Sequence, residues 1–193
     1  MGRQLSRALF TVSLGLLGCG KDAPGRTDSS ASETMTSAGV SSCDAPYPET
    51  FVADSVVLER TPCFGSCPAY RLRVSRSGAV HFRSRNFDDT TRTATAIIDS
   101  ACVSELWHRF QWVNFSALPD TIASVPAYCE NAFTDAQRVT VRLFAGTRTK
   151  HVVDYQGCVW APAGLRELEE RFDQIAGSSR WVRPNSMLPP PPA

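Results

Sequence analysis

The sequence has little lysine, little histidine and almost no net charge, and the last two scarcities each disfavour a class of function. Lys21 and Lys150 are the only lysines, and the formal net charge is +1. From Asp44 onward acidic and basic residues balance, so no bulk field favours nucleic acid as a partner. His81, His108 and His151 show no paired ligand spacing, and neither a metal nor a cofactor is expected. There is no nucleophile elbow and no Gly-rich loop to cradle a phosphate. Ser66, His108, His151 and Asp135 are available to a hydrolase as residue types only, because no spacing links them. The apolar run Ala8 to Leu17 is too short for a transmembrane helix.

What is present begins at the amino end. Arg3 and Arg7 precede that apolar run, in the order of a secretory signal. The run closes in Leu16-Leu17-Gly18-Cys19, which resembles the bacterial lipobox, where the thiol is acylated and cleavage falls just before the cysteine. Residues 1–18 are therefore expected to be a signal peptide, with Cys19 as the lipidated mature terminus. Each buried methylene of such an anchor contributes about 0.8 kcal/mol, so several acyl chains would hold the domain at a membrane without a spanning segment. Gly20 after the cysteine resembles the outer-membrane sorting pattern. The Ser, Thr, Ala and Gly that follow cannot bury enough apolar surface to fold, and residues 19–50 read as a disordered tether. Pro189 to Pro192 mark an extended tail over residues 184–193.

With Cys19 assigned to lipid, Cys43, Cys63, Cys67, Cys102, Cys129 and Cys158 remain, an even number as expected of an exported disulfide framework. Cys63 and Cys67 sit in Thr61-Pro62-Cys63-Phe64-Gly65-Ser66-Cys67-Pro68, where the prolines and Gly65 demand a turn suited to a tight looped bridge. Cys129 and Cys158 bracket a hairpin whose fold-back brings them together. Cys43 with Cys102 follows by elimination. Catalytic dithiols are typically C-x-x-C at a helix start, so this C-x-x-x-C between prolines reads as structural.

Residues 51–183 are expected to form one disulfide-bonded domain, long enough to bury roughly two thirds of its unfolded surface. Val56 to Leu58 mark a strand. Tyr70-Leu72-Val74 and Val80-Phe82 alternate with polar residues around Arg76-Ser77-Gly78, and a three-residue turn pairs Val74 with Val80 and Leu72 with Phe82. Val103, Leu106, Trp107 and Phe110 form a helical stripe behind Asp99 or Ser100 as a cap. A long irregular segment from Asn114 to Gln137 is the place for a functional loop. Val139, Val141 and Leu143, then Ala145-Gly146 and Val152 to Tyr155, give a second hairpin whose register stays open. A last helix runs from about Ala163 to Ala176 and stops at Gly177, after which Trp181 folds back onto the core. The order predicts an α+β domain: an antiparallel sheet of about five strands built from hairpins, with two amphipathic helices on one face.

Leu58 to Tyr70, with Thr61, Pro62, Cys63, Phe64, Gly65, Cys67 and Pro68 at its centre, resembles the signature of a bacterial family catalogued as domain of unknown function 6438. Gly78, Thr134-Asp135, Asp154-Tyr155 and Trp181 extend the resemblance over most of Val56 to Trp181. It implies an exported, often lipid-anchored domain and brings no activity with it. Asp135 is expected to bond its own loop's backbone, as Asp does in turns.

The predicted register sets Arg71 opposite Arg83 and Arg73 opposite His81 on the outer side of the first hairpin, with Arg85 beyond. Opposed like charges destabilise a sheet, so carboxylates such as Glu59, or an anionic ligand, should neutralise them. The reading is an envelope lipoprotein with a non-catalytic binding or structural domain. Its partners would be the membrane through Cys19 and an envelope protein, lipid headgroup or glycan. A thiol-disulfide or hydrolytic enzyme of the envelope is the alternative.

Overall fold

A computed structural model describes residues 43, 53–85 and 92–182. The expected signal peptide, Cys19, the Pro-rich tail and all of the tether except Cys43 lie outside them. Among the described residues six strands form a single antiparallel sheet: β1 (Ser55–Arg60), β2 (Tyr70–Ser75), β3 (Ala79–Ser84), β4 (Thr93–Ile97), β5 (Arg138–Ala145) and β6 (Arg148–Tyr155). Their spatial order is β4-β3-β2-β1-β5-β6. The described α-helices are α1 (Ser100–Trp112), the single turn α2 (Pro126–Cys129) and α3 (Leu165–Ala176). No helix among the described residues is long and apolar enough to cross a membrane.

The first hairpin has the expected register, Val74 opposite Val80 and Leu72 opposite Phe82. Gly78 makes this possible. It sits at φ 81°, and any Cβ there would run into the Ile98 carbonyl, whose own residue donates its N–H to Gly78 O at 3.0 Å. Asp99 caps α1 by accepting from Cys102 N at 2.8 Å, and Gly177 ends α3 in the left-handed region at φ 65°. Leu106 and Phe110 of α1 and Leu168 and Phe172 of α3 are fully buried in one core with Val56, Leu58, Leu72 and Val141 of the sheet. Trp181 packs its ring 5.4 Å from that of Phe82.

Two expectations need correction. The sheet has a sixth strand, β4, in a stretch that reads as polar. In Thr93-Ala94-Thr95-Ala96-Ile97 only the small side chains of Ala94 and Ala96 pack toward the core, so the apolar contrast along the strand is weak. The 114–137 segment is also more ordered than its prolines suggest. It buries Phe115 and Ile122 in the core and lies along the edge of β6, where Val153 N–H donates to Asp120 O at 2.9 Å.

Three disulfides close the domain, with Cα separations of 5.0 Å for Cys43–Cys102, 5.5 Å for Cys63–Cys67 and 4.7 Å for Cys129–Cys158. The first fastens the chain before β1 to the start of α1. The third ties α2 to the residues that follow β6.

Candidate functional site

Both long helices pack on the face that carries Val56 and Leu58, and no described helix covers the other. The register places side chains there in rows across the strands. One row reads Thr93, Arg83, Arg71, Glu59, Thr140 and Val153. The next reads Thr95, His81, Arg73, Val57, Arg142 and His151. Val57 is 1% exposed between two arginines, which fits aliphatic Arg stems lying over it while their charged heads reach solvent. Arg85 and Arg138 extend the basic surface at the end where β1 finishes.

Among the described residues Glu59 is the acid on this face, and three arginines converge on it. Arg142 pairs with it at 3.2 Å and Arg71 at 3.8 Å, and Arg85 closes a tighter contact. Arg73 and Arg83 have no ion-pair partner among the described residues. Arg71, Arg83, Ser84 and Arg85 line a cavity of about 380 Å³. One carboxylate therefore answers part of the positive charge, and the remainder faces solvent.

At the same end of the sheet lies a second cavity, of about 500 Å³, lined by Thr61, Pro62, Cys63, Phe64, Asp135, Ala136, Arg138 and Tyr155. Its walls come from three separate stretches, and hydrogen bonds hold them together. Gln137 Nε2 donates to the carbonyls of Thr61 at 2.8 Å and Pro68 at 2.9 Å, clasping both ends of the Cys63–Cys67 loop. Phe64 N–H donates to Asp135 O at 3.0 Å. The Tyr155 hydroxyl donates to Phe133 O at 2.8 Å and accepts from Ala136 N at 3.2 Å. Asp135 sits at φ 60°, a conformation Asp tolerates better than most residues. Its carbonyl is what ties the loops, while its exposed carboxylate has no partner among the described residues, so the expected Asp turn bond is not the one formed.

A family model described as domain of unknown function (DUF6438) matches residues 54–176. The chain belongs to the DUF6438 family. No curated protein matches it. Within this DUF6438 domain the scattered motif residues acquire a common location. Thr61, Pro62, Cys63, Phe64, Asp135 and Tyr155 all line the larger cavity, whereas Gly65 supplies the φ of 134° that lets the loop turn. Trp181 stands apart, on the helical side beside Phe82.

Sequence reasoning missed Arg138 and Arg142. With the second hairpin's register open, their side was undetermined. It also missed Gln137, whose role depends on two carbonyls remote in the chain. The hydrolase residue types are dispersed: His108 lies on α1 near Trp112 and Glu167, His151 on the open sheet face, and Ser66 in the disulfide loop.

Beneath the sheet a different group of charges is buried. Asp154 and Glu169 are almost fully buried, and Gln156 Nε2 donates to both, at 2.7 and 3.1 Å. Burial, then the Asp154 charge, push the Glu169 carboxyl up to about 8. Arg166 holds Asp154 from the other side at 3.1 Å. The dyad sits in the core and lines neither of these two cavities.

Proposed function

We propose that the chain is a membrane-anchored envelope lipoprotein, fixed through Cys19, whose DUF6438 domain binds an anionic ligand on the open sheet face without transforming it. The observation that carries this reading is the imbalance on that face, where Arg71, Arg73, Arg83, Arg85 and Arg142 stand against Glu59 as the acid among the described residues. A ligand with phosphate, carboxylate or sulfate groups offers the missing countercharges in charge-assisted hydrogen bonds. A lipid headgroup, an acidic glycan and an acidic patch on an envelope protein share that chemistry. The leader sequence and the even cysteine set support export, with the domain held at the membrane surface, the outer membrane being the favoured one.

The test is retention of the purified protein on phosphate, on vesicles containing anionic lipid and on a sulfated glycan. The double variant Arg71→Glu, Arg83→Glu should lose at least about a hundredfold in affinity, since each charged hydrogen bond removed contributes about 1.5–3 kcal/mol. Binding should also weaken with salt. Unchanged retention would remove the arginine face from consideration.

An enzymatic reading has one observation in its favour: the Cys63–Cys67 bridge forms part of a cavity wall. The clasp that Gln137 makes on both sides of the loop supports a structural bridge instead.

A further inference from the structure

The cavity at the family motif contains a pattern of charge that the arginine face lacks. Asp135 and Arg138 line the same 500 Å³ space, both are exposed, and no ion pair joins them or either of them to another described residue. Elsewhere in the domain acids and arginines near one another do pair, as Glu59, Glu105, Asp154 and Asp173 show. The backbone fixes the first member of this unjoined couple. Asp135 is fixed by its left-handed conformation and by the Phe64 N–H on its carbonyl. Arg138 lies with its guanidinium 5.6 Å from the centre of the Tyr155 ring, a cation–π position that holds the charge at the cavity rim.

Thr61 apart, the side chains around these two charges are apolar or aromatic. Phe64 is 86% exposed, far more than a core aromatic, and it is carried on a loop stiffened by a disulfide and Pro62. A loop held rigid beside a cavity presents its aromatic residue to an apolar group with little backbone entropy left to lose on binding. The cavity volume lies within the range of small-ligand sites. A purely anionic ligand suits the arginine face but would meet the Asp135 carboxylate here.

We infer that the motif cavity is a binding site for a small zwitterionic ligand, an amino acid or short peptide whose ammonium group meets Asp135, whose carboxylate meets Arg138 and whose apolar side chain lies against Phe64. The Tyr155 ring backs the guanidinium, and its hydroxyl positions the Asp135 turn through Phe133 and Ala136. This site adjoins the basic face at Arg138 and uses neither Arg71 nor Arg83, so it stands without the anion-binding reading.

The test uses the purified full chain and two probes, L-phenylalanine and L-alanyl-L-phenylalanine, which set the two charges at different separations. Each is compared with its N-acetylated and its amidated form by calorimetry and by NMR shifts of the cavity residues. At least one free probe should bind saturably with shifts at Asp135 and Tyr155, and either cap should weaken it at least about tenfold, the loss of one ion contact. Asp135→Gly keeps the backbone conformation, because glycine adopts positive φ freely, and removes only the carboxylate. That variant should bind the acetylated and free forms equally, and Arg138→Gln should do the same for the amidated and free forms. The double variant Arg71→Glu, Arg83→Glu should bind the probes as the unaltered chain does, which separates this site from the anionic one. Absence of saturable shifts at millimolar concentration, or equal binding of capped and free probes to the unaltered chain, would overturn the inference.

Discussion

Arg171 of α3 grips Glu105 of α1 with two nitrogens, Nε at 2.6 Å and Nη2 at 2.8 Å, and so joins the two long helices across a carboxylate that is completely buried. Arg109, one turn along α1, adds a third contact at 3.0 Å. A buried ion of this kind contributes little relative to an apolar replacement of both partners, but removing one partner strands the other charge. Glu105→Ala removes the acceptor that Arg171 and Arg109 share and opens a cavity between the helices. The expected loss is about 3–5 kcal/mol, read as a drop in denaturant midpoint. A change below about 1 kcal/mol would mean that the helices do not depend on this pair.

The Asp154 and Glu169 dyad predicts a stability that falls as pH rises. The Glu169 carboxyl is pushed up to about 8 from an ordinary value of 4.5, first by burial and then by Asp154, although Arg60 and Arg166 oppose the shift. The folded domain therefore keeps a proton that the unfolded chain has released. Stability from this group is complete below the unfolded value, is lost progressively toward pH 8, and loses nothing further above that. Glu169→Gln should flatten this slope in unfolding midpoints measured across the range. An equally steep decline in the variant would assign the dependence to another group.

The three disulfides should differ in worth. Loop-closure entropy assigns about 4 kcal/mol to Cys43–Cys102 and about 2 kcal/mol to Cys63–Cys67, because the first closes a far longer loop. Paired serine variants test the ordering by thermal unfolding. Alkylation tests the chemistry: native protein should leave Cys63 and Cys67 unlabelled. After mild reduction, labelling slower than that of an unfolded control supports a structural bridge, whereas rapid and selective labelling would favour a thiol-disulfide enzyme.

Much of the fold was legible because the signals were local. Gly78 and the alternation around it set the first hairpin, Asp99 and the Val103 to Phe110 stripe set α1, and Gly177 closed α3. β4 was not legible, since alternating Thr and Ala carry too little apolar contrast. Glu105 lay inside an otherwise apolar helix face, and its burial depends on Arg171, which comes from another helix.

For the site, the chain alone determined that Arg71 and Arg83 must face each other and that Thr61 to Pro68 must turn, because side-chain alternation and ring geometry act over a few residues. Only the tertiary structure decided that β1 lies between β2 and β5, which puts Arg142 beside Val57 and three arginines around Glu59. It likewise decided that Asp135 and Tyr155 meet the Cys63–Cys67 loop. Those outcomes depend on strand order and long-range hydrogen bonds, and neither has a period that a linear sequence can show.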